Sequence, residues 1–123
     1  MPNGEPWTDV LEIRTIIDRY ANGVDRRDWE SVRSCFTPDC RADYGRWGSW
    51  TEREPFVTWL DELHRDIGPT MHRMTNHDIR VDGDMATATS YLDAVLLVEH
   101  QGHDLLHVIG TYTDGFVRTT DGW

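Results

Sequence analysis

The feature that most limits the architecture of this chain is a change of texture at Gly68-Pro69. Upstream of that point, apolar residues recur at three- and four-residue spacing. Downstream come three long runs rich in Thr, Val, Ile, Leu and Tyr, separated by short turn signals. Val10, Ile13, Ile17, Tyr20 and Val24 mark one buried stripe, so a first helix runs from a Thr8 cap to about Val24. Asp28 is placed to cap a short second helix with Trp29, Val32 and Phe36 inward, and Thr37-Pro38-Asp39 stops it. Cys40 to Tyr44 reads as a short strand, and Gly45 to Thr51 as a turn or small hairpin. A third helix opens at Thr51, with Glu54 completing a capping box and Phe56, Leu60, Leu63 and Ile67 on its inner face. Thr70 to Val81, Met85 to Glu99 and Leu105 to Thr119 then form an antiparallel meander, turning at Asp82-Gly83-Asp84 and Gln101-Gly102. The expected class is α+β: a curved antiparallel sheet with the N-terminal helices on its concave face, enclosing a cone-shaped pocket. No linker or repeat interrupts residues 1–123, which are expected to form a single domain with residues 1–7 as a loose lead-in.

Charge and composition exclude several classes of function. The formal charge is −10, and the 12 basic residues are all Arg and scattered, so no cationic stripe is available for nucleic acid. A chain without Lys has no Schiff-base chemistry. The longest apolar run, Ala94 to Val98, is far too short to cross a membrane, and the N-terminus lacks the features of a secretory signal. Cys35 and Cys40 read as two reduced thiols, which points to a cytoplasmic protein. There is no P-loop, no G-x-G-x-x-G, no Cys-x-x-Cys and no G-x-S-x-G, so no nucleotide cofactor and no hydrolase-type acyl transfer is indicated. His100, His103 and His107 straddle a turn at a spacing that matches no metal motif, and no metal is expected.

Two residues stand out as a pair. Asp25 lies at the end of the first helix, where the dipole disfavours a carboxylate. His72 lies in the first long strand, where alternation puts His72, Met74 and Asn76 on one face and Arg73, Thr75 and His77 on the other; a bulge would exchange them. A carboxylate bound to one imidazole nitrogen fixes the tautomer and raises the basicity of the other, which can then exchange protons near neutral pH. Tyr20 and Tyr44 are candidate phenol donors, Tyr20 equally a core residue. Trp47 and Trp50 form either an apolar lid or a cover for the core edge. Arg118 either pairs with Asp114 or Asp121 at the surface or holds a carbonyl or leaving anion.

The segments Tyr20-Ala-Asn-Gly-Val-Asp-Arg-Arg-Asp-Trp29, Thr70-Met-His-Arg-Met-Thr-Asn76 and Gly110-Thr-Tyr-Thr-Asp114 through Asp121-Gly-Trp123 together resemble the SnoaL-like branch of the nuclear transport factor 2-like cone fold. The pairing of Asp25 with His72 resembles the dyad of scytalone dehydratase and of hexachlorocyclohexane dehydrochlorinase. The resemblance implies Asp25 as the orienting acid, His72 as general acid/base, Tyr44 as a polariser of a substrate carbonyl, and Arg118 as a ligand contact. Two positions depart from the pattern: Val24 replaces the second dehydratase tyrosine, and Tyr20 replaces the dehydrochlorinase lysine. The family normally has one more strand after Asp-Gly-Trp. Family members imply a homodimer or homotrimer.

The resulting expectation is a cofactor-independent lyase of the dehydratase type acting on a small hydrophobic cyclic ketone or aromatic metabolite. Asp25, His72 and Tyr44 are the catalytic residues, and Tyr20, Asn76, Trp47 and Arg118 contact substrate. An isomerase or polyketide cyclase could use the same pocket, and a non-catalytic ligand-binding or assembly module is the alternative of a different class.

Overall fold

The structure is a computed structural model that describes residues 7–99 and 103–123, with the side chains of 99 and 103 also outside the description. Three helices come first: α1 (Trp7–Arg26), α2 (Trp29–Arg33) and, after a small hairpin, α3 (Arg53–Arg65). The hairpin joins β1 (Ala42–Asp43) to β2 (Ser49–Trp50) through a 3-10 turn at Gly45–Trp47. Three long strands follow, β3 (Thr70–Asp82), β4 (Met85–Glu99) and β5 (His103–Val117), in an antiparallel sheet of order β3-β4-β5. The α+β class, the meander and its first turn are therefore as expected; Gly83 sits in that turn at φ 62°. The expected turn at Gln101-Gly102 lies outside the described residues.

Two apolar cores hold the layers together. Ile13 and Ile17 of α1 pack with Ala86 and Ala88 of β4, flanked by Met74, Ile79, Val81 and Phe116. Small Ala residues in mid-sheet let the helix approach the strands closely. The second core joins Val24, Val32, Phe56, Val57 and Leu60 from the three helices. Gly23 makes this junction possible: a Cβ there would lie 2.9 Å from Val32 Cγ2. Asp28 caps α2 as expected, accepting from the Ser31 backbone N–H at 3.2 Å.

Four local expectations fail. Helix α1 already includes Trp7, so Thr8 lies inside the helix and does not cap it. The capping box at Thr51 does not form. Helix α3 starts at Arg53 with no side-chain cap, because Glu54 is held by Arg33 and Arg53 instead. The buried stripe of α3 is Phe56, Val57, Leu60 and His64, while Leu63 is exposed. In β3 the pairing register shifts between Thr75 and Asp78, and Asn76 takes φ 54°. That bulge turns Asn76 outward and His77 inward, where its Nδ1 meets the hydroxyl of the fully buried Ser90 at 2.8 Å.

Candidate functional site

Asp25 occupies the last turn of α1, and Arg27 ends the helix in the left-handed region at φ 58°. A non-glycine residue there costs about 1 kcal/mol or more. Four contacts of the Arg27 guanidinium offset that cost: it donates to the carbonyls of Val24, Ile67 and Gly68 and to Thr70 Oγ1. The C-terminus of α1 is thereby tied to the segment that leads into β3.

This tie aligns Asp25 with His72. Arg27 is a pure donor, so Thr70 Oγ1 accepts from it at 2.9 Å and directs its own proton to Asp25 Oδ1, also at 2.9 Å. Asp25 Oδ1 accepts again from His72 Nδ1 at 2.6 Å, and Oδ2 accepts the His72 backbone N–H at 2.9 Å. Three donors thus compensate a carboxylate at the unfavourable end of a helix dipole. Both side chains are mostly shielded, His72 at 11% and Asp25 at 20% exposure. With Nδ1 committed as donor, the neutral ring carries its free electron pair on Nε2.

The phenols form a second cluster on the same inner face. Tyr20 and Tyr44 share a hydrogen bond of 2.8 Å between their hydroxyls, and the Tyr112 ring centre lies 6.3 and 6.0 Å from theirs. Trp50, Phe56 and Trp59 pack around Tyr44. Burial raises the pKa of all three tyrosines, so they are neutral donors. The Tyr112 hydroxyl also hydrogen-bonds with both, so the three phenols form one network. Asp114 lies two residues beyond Tyr112 on β5, opposite buried Ala88, and burial pushes its carboxyl up to about 6. Tyr112 pairs with Ser90, and His72 with Ala94, four residues along β4, a separation of about 13 Å along the strand.

Not every residue proposed from sequence joins these clusters. Asn76 is exposed at the bulge and does not share the His72 face. Trp47 is 63% exposed, with Arg46 over its ring, so it covers neither cluster. Arg118 binds Asp9 through two contacts of 2.8 and 3.0 Å, reaches Asp84, and stacks over Trp123. Asp9 lies in the first turn of α1 and Asp25 in the last, about 24 Å apart along the axis, so Arg118 is held away from the dyad. His107 pairs with Asp93 on the outer face of the sheet, while His100 and the His103 side chain lie outside the described residues. A surface depression of about 270 Å³ lies between α1 and α2, lined by residues such as Asp18, Arg19, Asn22 and Arg26, and includes neither Asp25 nor His72.

Three contributors were not singled out from sequence: Arg27, Thr70 and Tyr112. Tyr112, Asp114 and Phe116 share a face by simple alternation, so that signal was available. The Arg27–Thr70 contact joins residues 43 positions apart and leaves no local pattern.

The comparisons agree with this architecture. The chain is 31% identical over 117 residues to the uncharacterized protein Rv2910c of Mycobacterium tuberculosis, covering 94% of this chain and 80% of that one. The crystal structure of the Kfla4162 protein from Kribbella flavida superposes with a TM-score of 0.89 at 25% identity, over 97% of this chain and 86% of the other. A candidate dehydratase of the NTF2-like family from Streptomyces avermitilis superposes with a TM-score of 0.85 at 19% identity, over 97% and 92%, a likeness of fold. The model of the SnoaL-like domain matches residues 5–123. Fold, topology and match together place this chain in the SnoaL-like domain family.

Proposed function

We propose that this protein is a cofactor-independent, dehydratase-type lyase for a small cyclic ketone or phenol-forming metabolite, with Asp25 and His72 as its proton-transfer dyad. The observation that carries the reading is the fixing of His72 by Asp25, with Nδ1 on Oδ1 at 2.6 Å and the backbone N–H on Oδ2. A structural histidine needs one such bond; two to the same carboxylate, backed by Thr70 and Arg27, set the direction of the ring as well. The dehydratase description of the Streptomyces avermitilis protein of like fold is consistent with the assignment.

In the proposed reaction, His72 Nε2 takes a proton from the carbon next to the ketone. The C–H electrons form the carbon–carbon double bond as the β C–O bond breaks. The leaving oxygen takes the proton back from His72 and departs as water, so no oxidant or reductant enters. A hydroxyl proton of the Tyr20–Tyr44–Tyr112 network would donate to the developing enolate oxygen. General acid/base assistance of this kind contributes about 10²–10⁴-fold.

The test uses 3-hydroxy-1-tetralone, a β-hydroxy cyclic ketone whose dehydration gives fluorescent 1-naphthol. Naphthol formation by the wild type and its loss in His72→Ala supports the reading. Turnover to a product of unchanged mass would favour an isomerase or cyclase, and undiminished turnover in His72→Ala removes the dyad from the mechanism.

A further inference from the structure

His64 is a polar residue in an apolar stripe. Its neighbours on the inner face of α3 are Phe56, Val57 and Leu60, and like them the residue is buried, at 6% exposure. Its Nδ1 lies 2.7 Å from the Leu60 carbonyl oxygen. A carbonyl can only accept, so Nδ1 carries the proton and the neutral ring keeps a free electron pair on Nε2. Burial holds the pKa of His64 below its ordinary value, and the nearby charges of Arg27 and of a protonated His72 act the same way, with Asp25 opposing.

The ring of His64 lies 6.4 Å from the ring of His72. Both imidazoles have Nδ1 committed, one to Leu60 and one to Asp25. Two Nε2 acceptors cannot bond to each other, and each needs a donor. Among the described residues neither has one, and no fully buried side-chain nitrogen or oxygen is left unpaired, so both nitrogens reach accessible space. Ring centres at this separation put the two imidazoles within reach of one small ligand molecule.

We propose that His64 is a substrate-binding residue whose Nε2 accepts a hydrogen bond from a ligand hydroxyl, so that the site selects ring ketones bearing a hydroxyl beside the carbon His72 deprotonates. The inference rests on the dehydratase reading and adds the leaving group to it. A hydroxyl that donates to His64 turns an oxygen electron pair toward His72, which returns its proton there. A hydrogen bond of this kind corresponds to about a fivefold to tenfold preference in affinity.

The experiment compares binding of 3-hydroxy-1-tetralone and 1-tetralone by tryptophan fluorescence, in a His72→Gln background that suppresses turnover. The hydroxylated ketone is expected to bind about fivefold to tenfold more tightly. His64→Leu, which keeps an apolar side chain in the stripe, should erase that difference and leave 1-tetralone binding unchanged. A second readout leaves His64 itself intact: in ¹⁵N-labelled His72→Gln protein, which does not turn the ketone over, the hydroxylated ketone should shift the His64 Nε2 resonance and 1-tetralone should not. Equal affinity for the two ketones, a preference that survives His64→Leu, no shift at His64, or no binding of either ketone overturns the assignment. Failure of the wild type to form naphthol while the binding preference persists would instead overturn the dehydratase reading alone.

Discussion

Asp25 grips His72 twice: Oδ1 lies 2.6 Å from the ring Nδ1, and Oδ2 lies 2.9 Å from the backbone N–H of the same residue. A single side-chain contact would let the imidazole swing about its χ angles. Adding the backbone fixes the strand position relative to the helix end, so ring direction follows from the fold.

Thr70→Val removes the hydroxyl that links Arg27 to Asp25 while keeping the β-branched shape favoured in a strand. A hydrogen bond to a charged acceptor contributes about 1.5–3 kcal/mol, and water can partly replace it at this half-buried site. The variant should lose about 1–2 kcal/mol in urea denaturation. The turnover of 3-hydroxy-1-tetralone should fall severalfold, since the dyad remains but is less firmly held. Unchanged stability and turnover would show that the Arg27–Thr70 link does not position Asp25.

Asp114 makes stability depend on pH in a stated direction. Its folded pKa, about 6, lies above the ordinary 3.8 because burial penalises the carboxylate. Below the ordinary value both states are protonated and no penalty exists. As pH rises through about 6 the folded state must ionise a desolvated group, so this contribution is lost between roughly pH 4 and pH 7. A shift of this size corresponds to about 2–3 kcal/mol, with partial access to water lowering it. Asp114→Asn should be more stable than the wild type above pH 7, and the gap should close toward pH 4. A gap independent of pH in chemical denaturation would contradict this.

Gly23→Ala tests the close approach of α1 and α2. The added methyl would sit 2.9 Å from Val32 Cγ2. Alanine gains up to about 1 kcal/mol in helix propensity, but overpacking a tight core typically costs about 1–3 kcal/mol. Net destabilisation is expected, and adding Val32→Ala should cost less in the Gly23→Ala background than in the wild type. Additive thermal shifts would indicate that the two positions do not share a contact.

The Asn76 bulge can be tested separately. Asn76→Gly should be neutral to within about 0.5 kcal/mol, because the backbone already sits at φ 54°. Asn76→Val should cost about 1–2 kcal/mol, since a β-branched residue resists that conformation. Equal melting temperatures for the two variants would argue against the bulge.

Much of the fold was legible because the signals were local. The α1 stripe, the Asp28 cap, the Asp82-Gly83-Asp84 turn and the three β-rich runs each reflect spacing within a few residues. The errors arose where distant partners decided the outcome. Glu54 leaves the capping box for Arg33, 21 positions away. Arg118 is taken by Asp9, 109 positions away. Alternation cannot reveal a bulge, so Asn76 and His77 exchanged faces. Apolar periodicity favoured Leu63 over His64, because the Leu60 carbonyl that satisfies the buried imidazole is a main-chain acceptor with no mark in the sequence. Asp25 and His72 could be paired from the chain alone through their chemistry and a family resemblance; Thr70 and Arg27, which hold Asp25, became visible only in three dimensions.

The most direct measurement is deuterium uptake at carbon 2 of 1-tetralone in D₂O, followed by proton NMR. This ketone has no leaving group, so the exchange reads proton abstraction alone. Wild-type protein should catalyse exchange at least about a hundredfold faster than His72→Ala, with Asp25→Asn also strongly impaired. Exchange that is absent in the wild type, or equally fast in His72→Ala, would contradict a proton-transfer role for the Asp25–His72 dyad.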